Sequence, residues 1–450
     1  MSGDLPPDGK MRFYLLTLGC PKNTVDSEGM SELLRQAGYE ATDQASQADL
    51  LIVNTCGFID LAKAESLTAL QVFAQEKRPS QYLIAAGCLS QRYGADLLQE
   101  VPGIDAMIGT QRWPEIVRLI EALSTRGEQS PALQLPPSAT RYVASHPVAR
   151  RAHSATAYIK IADGCSAPCA FCSIPQIKGP YMSKPQDAIL EEARQLVSQG
   201  VKELILIAQD TTAYGFDRGV KNGLPPLVEA ILASVPQLKW LRIMYTYPGH
   251  ISPRLIEVMA THPQVCHYID LPLQHAHPDA LKRMKRPHNM AKVRGLIADL
   301  RRAMPEIALR TTFIVGYPGE TEEEFEALLA FLEEMKFDRV GVFTYSPEEG
   351  TEAAGLPGQL PHEVKEERRL RAMELQQKIS KEKNQTFLGR KLEVLVEGVG
   401  EGISIGRSYR DAPEVDGMVL VEGELPINEF APVRITGALE YDLVATPVST

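Results

Sequence analysis

Seven cysteines carry most of the chemistry this sequence can offer. Three sit together in ADGCSAPCAFCSIPQIKGP, over 162–180: Cys165, then three residues, Cys169, then two, Cys172. Three thiolates on one short loop can hold three irons of a 4Fe–4S cube and leave the fourth iron open to a ligand. A structural zinc site would want a fourth Cys or His close by, and none occurs over 173–192. Cys20, Cys56 and Cys88 are far apart, yet each ends an apolar run: MRFYLLTLGC, ADLLIVNTC and QYLIAAGC. If these runs are parallel strands, their ends share one sheet edge and the three thiols converge in the crevice there. Gly19 and Gly87 stand just before two of them and permit close backbone approach to a bulky ligand. A second open cluster is the sharper reading. Three unrelated core cysteines would have no reason to fall at the same end. Cys266 has no cysteine partner near it and reads as a core residue.

The elements that position these thiols follow from hydrophobic period. Residues 11–124 alternate continuous apolar runs with helical patterns, which predicts an open α/β domain with a parallel, doubly wound sheet. A stretch rich in Pro, Ser and Ala over 125–150 reads as a linker. Over 151–384 six strand–helix units follow, with strands in AYIKIADGC, KELILIAQD, KWLRIMYTYP, HYIDLPLQ, IALRTTFIVGYPG and RVGVFTYSP. That predicts an incomplete (β/α)6 barrel, with the cysteine loop at the C-terminal mouth where barrel enzymes carry chemistry. A charged helix over 361–384 closes this part, its charges read as a solvated face. Residues 385–450 change to short strands between Gly and Pro turns, which predicts a small antiparallel β-barrel.

Other polar groups expected at the mouth are Gln209, Asp210, Gln274 and His275, each just after a barrel strand. Gly316, Pro318, Gly319 and Glu320 form a strand-to-helix turn, and Thr321 with Glu324 makes a capping box behind it. Lys282, Arg283, Lys285 and Arg286 read first as a solvated helix face, with substrate or phosphate contact second. No Ser–His–Asp arrangement, Walker loop or dinucleotide fingerprint is present, so no catalytic side chain is assigned. The net charge of −10 does not advertise a general affinity for nucleic acid. No apolar run is long enough for a transmembrane helix, and MSGDLPPDGK lacks the pattern of a signal peptide. The expected location is cytoplasmic, where cysteines serve metals and catalysis more than disulfides.

The three-then-two cysteine spacing resembles the radical S-adenosylmethionine enzymes. That resemblance implies S-adenosylmethionine on the open iron, an external one-electron donor, and a 5′-deoxyadenosyl radical, with Phe171 packing near the cofactor. Two cysteine triads in this order resemble the methylthiotransferases, which join an N-terminal cluster domain, a radical core and a TRAM barrel. The likeness runs from about residue 11 to the end. GCPKNTVDSE (19–28), NTCGFIDLAKAES (54–66), DLPLQHA (270–276), MKRP (284–287), TTFIVGYPGET (311–321) and SYRDAPEVDG (408–417) look like the RimO type. That branch modifies an aspartate β-carbon of ribosomal protein S-twelve, whereas the tRNA-modifying branch usually has Gln-Met where this chain has Pro21-Lys22. The resemblance implies two 4Fe–4S clusters and places the 316–320 turn, with Gln209, Gln274 and His275, beside S-adenosylmethionine. Lys178 and Lys184 stand where arginines are usual, which keeps charge but loses the bidentate fork. Methylthiolation of a tRNA base, or a non-catalytic iron–sulfur or zinc scaffold, are the other readings.

Charge separates the two substrates. Residues 385–450 hold five Lys and Arg against eleven Asp and Glu, a net of −6. A barrel of that sign repels a phosphate backbone and attracts a basic protein, so stable nucleic-acid binding is not expected and ribosomal protein S-twelve is. Asp411, Glu414 and Asp416 are the expected contacts.

Overall fold

Strands buried on both faces read as unbroken apolar runs, and the N-terminal domain is built from them. All six residues of Leu50–Thr55 are buried. This strand lies between Arg12–Thr17 and Tyr82–Gly87 and is parallel to both, with Ile52 opposite Leu15 and Ile84. The full sheet has six parallel strands, running from Glu40–Ala41 at one edge to Leu133–Gln134 at the other. Alternate side chains feed two cores. Ile52 and Ile84 pack under the helices Pro21–Gln36 and Ile116–Ser124, whereas Val53 and Ala85 pack under Asp60–Glu76. The sheet is therefore doubly wound. The chain is described by a computed structural model over residues 11–124, 133–134 and 149–448. Of the expected linker over 125–150 only 133–134 and 149–150 lie within the described residues, and Leu133–Gln134 departs from it, pairing with Ala106–Gly109 as the edge strand of the sheet.

Six parallel strands then form the incomplete barrel: Thr156–Lys160, Glu203–Ile207, Trp240–Ile243, Tyr268–Asp270, Ala308–Val315 and Arg339–Thr344. They pair in sequence order as two sets of three, and a bridge from Leu241 to Val265 joins the sets. The helices Gln186–Ser198, Leu224–Ser234, Pro253–Thr261, Met290–Ala303 and Glu322–Met335 cover the outside. Thr321 and Glu324 form the expected capping box. The charged helix is His362–Gln385, and its charges are not all solvated. Lys365 and Arg368 are buried, Arg368 against Glu320, while Arg371 stays outside among Glu322, Glu326 and Glu367. A single charged run thus has two faces, and composition alone does not separate them.

The C-terminal strands close into a five-stranded barrel. The last apolar segment is two strands, Phe430–Ala438 and Leu443–Pro447, with a turn closed by the Leu439 N–H on the Asp442 carbonyl. This barrel plugs the floor of the larger one, at the starts of its strands. Glu203 accepts from Arg242 Nε at 2.8 Å and from Arg407 Nη2 at 2.6 Å. Arg410 reaches Asp338 at 3.1 Å, and Asp411 takes Arg339. Leu395 and Ala412 join Ile205, Tyr268 and Ala308 in one apolar cluster. The placement corrects the expected substrate contacts. Asp411 is buried on Arg339, and the Asp416 carboxylate is buried, accepting from the Tyr268 hydroxyl at 2.7 Å beside Arg310. Of the three carboxylates only Glu414 is exposed. The reason is electrostatic: the buried Arg339 and Arg310 near the strand starts draw these carboxylates inward, and a buried charge must be matched.

Candidate active site

Each N-terminal cysteine sits just past a strand end. Gly19, at φ +95°, turns the chain so that Cys20 takes the N-cap position of the helix Pro21–Gln36. A Cβ on Gly19 would fall 2.7 Å from Cys56 Cβ, so the approach of these two strand ends requires glycine. Gly87, at φ +94°, likewise turns Tyr82–Gly87 into the short helix Cys88–Tyr93. Asn23 ties the three ends together. Its Nδ2 donates to the carbonyls of Leu18 and Thr55 at 2.8 and 3.0 Å, and its Oδ1 lies 3.8 Å from Cys88 Sγ. Cys56 is pinned by Ser66, which accepts from its N–H and donates to its carbonyl, both at 2.9 Å. The structure therefore brings the dispersed triad together.

The loop triad is held by its backbone. Cys165 N–H donates to the Gly179 carbonyl, Ala170 N–H to Met284, and Ala353 N–H to Ala170. Gly164 is required at the entry: a Cβ there would meet the Pro180 carbonyl at 2.3 Å. Arg286 is the polar neighbour of this triad. Its Nη1 donates towards Cys169 Sγ at 3.7 Å, and its guanidinium stacks 4.3 Å from the Tyr247 ring centroid. The basic run therefore divides. Arg283 pairs with Glu324 and Lys285 with Glu352, while Arg286 turns inward to the cysteines.

The two triads meet across the domain junction. Ser173, next to Cys172, donates to the carbonyl of Phe58 at 3.4 Å, and Gln111 donates to Ile177 at 3.0 Å. Lys178 bonds Thr110 and lies 3.5 Å from Asp26 and 3.6 Å from Asp163. Burial works against its charge, yet Asp163 first, and Asp26 with it, hold its ammonium protonated well above the usual lysine range. Asp163, opposed by burial in its turn, is held ionised far below the carboxylate range by Lys160 and Lys178. Lys184 pairs with Glu192, which Arg150 also holds. Lys178 and Lys184 thus serve as internal braces. Burial lowers Lys22 to about 8.

The thiols fit an iron cluster better than a lone ion. Burial pushes Cys88 up to about 12 and Cys172 up to about 12, and it also raises Cys56 and Cys165. Such thiols ionise only when a cation arrives to hold them. Among the described residues, the only three His, Cys, Asp or Glu ligand atoms within 4.8 Å of one another belong to His277, Asp279 and Glu324. Neither triad is gathered tightly enough for one zinc, whereas a cube with an iron at each corner takes more widely spread sulfurs. Cys266 is buried in the barrel core beside Arg242, as expected.

The remaining expected residues separate into two groups. Gln209 and Gln274 each keep a buried Oε1 without a protein partner, and Gln274 is held at φ +76°. Asp210 accepts from the Ala213 N–H and lies 2.7 Å from His250 Nδ1. His275 and Glu320 are turned to each other instead, with Nε2 and Oε2 3.3 Å apart. Glu320 also accepts from the Gly316 N–H at 3.0 Å and from Arg368; His275 first, then these two, outweigh burial and lower its pKa. The pair braces the turn. Gly316 lies under Lys365, whose Cγ would be 2.3 Å from an added Cβ; Pro318 is buried, and Gly319 is exposed with its N–H on the Gly358 carbonyl. Sequence reasoning missed Lys22, Tyr245 and Asp26 at the junction, because their partners are distant in the chain.

Comparison with known proteins follows this division of the chain. Residues 12–109 match the uncharacterized protein family UPF0004, 159–332 the radical SAM superfamily, and 388–448 the TRAM domain. The solved structure of the radical S-adenosylmethionine methyltransferase TsrM from Kitasatospora setae is 14% identical with a TM-score of 0.58, covering 76% of this chain and 77% of that one. That likeness concerns the fold. A ribosomal protein uS12 methylthiotransferase RimO from Roseiflexus sp. (strain RS-1) is 49% identical over 455 residues, 96% of both chains. One from Chloroflexus aurantiacus (strain ATCC 29366 / DSM 635 / J-10-fl) is 48% identical, covering 96% of this chain and 99% of the relative. At that identity over nearly its full length, the chain belongs to the RimO family of ribosomal protein uS12 methylthiotransferases.

Proposed function

We propose that this chain is a radical S-adenosylmethionine methylthiotransferase that places a methylthio group on the β-carbon of an aspartate of ribosomal protein uS12. The observation that carries the reading is the meeting of two cysteine triads at one junction, where a radical centre and a second iron site would be neighbours. Cys165, Cys169 and Cys172 would hold one 4Fe–4S cluster, and Cys20, Cys56 and Cys88 the other. Held by Cys165, Cys169 and Cys172, the loop cluster with S-adenosylmethionine would supply one-electron chemistry suited to a carbon no side-chain base can deprotonate at neutral pH.

The chain's own residues bind, orient and exclude water. Gln209 and Gln274, whose buried oxygens lack protein partners, are the polar groups available to S-adenosylmethionine. Gly316, Pro318 and Gly319 give it a close-lying backbone, and His275 with Glu320 fixes that turn from below. Arg286 places a positive charge beside Cys169. The acidic C-terminal barrel seals the floor, so substrate enters at the mouth. Residues 11–124 with the strand Leu133–Gln134 act as cluster domain, 151–384 as radical core and 385–450 as floor. No helix among the described residues is long and apolar enough to cross a membrane; the likeness to the ribosomal protein uS12 methylthiotransferases supports a cytoplasmic enzyme served by an external electron donor.

Reconstituted, reduced protein should be incubated with S-adenosylmethionine, ribosomal protein uS12 and tRNA, and the products weighed by mass spectrometry. Gain of one methylthio group on a uS12 aspartate is the expected result. Modified tRNA with unmodified uS12 would move the substrate to a nucleobase. Failure to form any 5′-deoxyadenosine would leave a non-catalytic scaffold.

A further inference from the structure

Lys22 carries a charge that no side chain among the described residues pairs with directly, although Cys20, Asp270 and Asp163 lie near enough to attract it. It lies in the first turn of the helix Pro21–Gln36, two places after Cys20, and is only 7% exposed. Its ammonium sits 3.0 Å from the centroid of the Tyr245 ring. Among the described residues no carboxylate pairs with it and no oxygen accepts from it. Its cationic neighbours are matched: Lys160 by Asp26 and Asp163, Lys178 by the same two, and Arg310 by Asp270 and Asp416. A buried ammonium is strongly disfavoured without a counter-charge, and a ring face replaces one only in part.

Tyr245 is the second sign of a site. Its φ is +60°, a left-handed backbone that bulky residues avoid unless the surroundings impose it. Here two contacts impose it: the Tyr245 N–H donates to Asp270 Oδ2 at 3.0 Å, and its carbonyl accepts from the Thr211 N–H at 2.9 Å. In this conformation the ring lies under Lys22, across the domain junction. Both residues border the two triads. Cys20 precedes Lys22, and Tyr247, two residues after Tyr245, stacks under the Arg286 that reaches Cys169.

We propose that Lys22 recognises the substrate aspartate, its ammonium taking the side-chain carboxylate while Tyr245 holds it in place beforehand. The inference rests on the functional reading above. An aspartate presents a full negative charge on the carbon next to the one that reacts, so a cation at the meeting of the triads fixes the β-carbon between them. A site built to pair with a charged group also rejects the uncharged isostere. Asparagine in the same peptide would leave the ammonium unmatched.

The test uses anaerobically reconstituted full-length enzyme and two fluorescent peptides from ribosomal protein uS12, one with the target aspartate and one with asparagine in its place. Wild-type enzyme should bind the aspartate peptide about tenfold or more tightly over the other. K22M, which keeps length and loses charge, should bind both alike with unchanged iron content, and K22R should retain a preference for aspartate. A merely structural role, or one confined to balancing cluster charge, would lower both affinities together and keep their ratio. A K22M enzyme that keeps the preference overturns the proposal. If K22M loses iron, the wild-type ratio decides, and equal binding of the two peptides overturns the proposal. Wild-type enzyme that neither binds nor modifies either peptide would overturn the functional reading instead.

Discussion

At Cys169 the nearest cation is a guanidinium supplied from 117 residues away. Arg286 also donates to the Pro272 carbonyl and stacks on Tyr247, so its charge cannot drift from the thiol. Groups that orient and polarise metal ligands without binding the metal typically contribute about 10- to 100-fold in affinity or activity. Arg286→Gln should therefore lower methylthiolation by about 10- to 100-fold, while the protein retains iron at both triads; loss of the loop cluster's iron would show a folding role instead. The cysteines predict a count. Intact enzyme should carry about eight irons, and replacing either triad by Ala should leave about four. Alanine at Cys165, Cys169 and Cys172 should end S-adenosylmethionine cleavage. Alanine at Cys20, Cys56 and Cys88 should end thiolation and leave cleavage measurable. Full iron retention in the second variant would refute the strand-edge cluster.

At the scale of elements, the barrel floor depends on Glu203, the first residue of its strand. Burial alone would raise its pKa, yet Arg407 and Arg242 bring it from 4.5 down to about 2. The folded value is the lower one, so this carboxylate stabilises the fold fully above about pH 4.5 and progressively less as pH falls towards 2. Glu203→Gln leaves two buried guanidinium groups short of a partner and should cost about 3–5 kcal/mol, since breaking a buried pair is far worse than never having it. Urea unfolding at pH 7 and pH 4 checks both statements. The variant should be weaker at pH 7 and should lose less than wild type between the two. The helix His362–Gln385 belongs to the same scale. Its buried Arg368 holds Glu320, so Arg368→Ala should loosen the 316–320 turn and raise the KM for S-adenosylmethionine more than it lowers kcat.

Across the whole molecule, what was legible in the sequence was whatever residue type and short spacing decide. The loop triad is one such case, and the strand-end triad another, because unbroken apolar runs mark buried parallel strands. The six-unit barrel and the final antiparallel one were legible for the same reason. Pairing over distance was not. Asp411 looked like an outward charge because Arg339 is 72 residues away, and nothing local in SYRDAPEVDG reveals it. Net charge counts carboxylates without saying which way they point. Reversal of Asp411 and Asp416 to Lys breaks buried pairs at about 3–5 kcal/mol each and should accordingly lower the melting temperature by several degrees, since about 1 kcal/mol corresponds to about 1 °C in a chain of this size, whereas reversal of exposed Glu414 should leave it unchanged; thermal unfolding separates them.

The floor plug also sets an order of events during synthesis. The apolar cluster that begins at Ala155 and Tyr158 is completed by Leu395 and Ala412, and Arg407 closes on Glu203 from 204 residues downstream. Domains ordinarily fold one after another as the chain emerges. Here the N-terminal sheet can do so, but the middle domain waits for the last one, with Glu203 and Arg242 buried for good only once residues 395–412 have emerged. Nascent chains halted at residue 384 should remain protease-sensitive between 151 and 384 while 11–124 resists. The floor of the enzyme is thus laid last, by the barrel that follows the walls it closes.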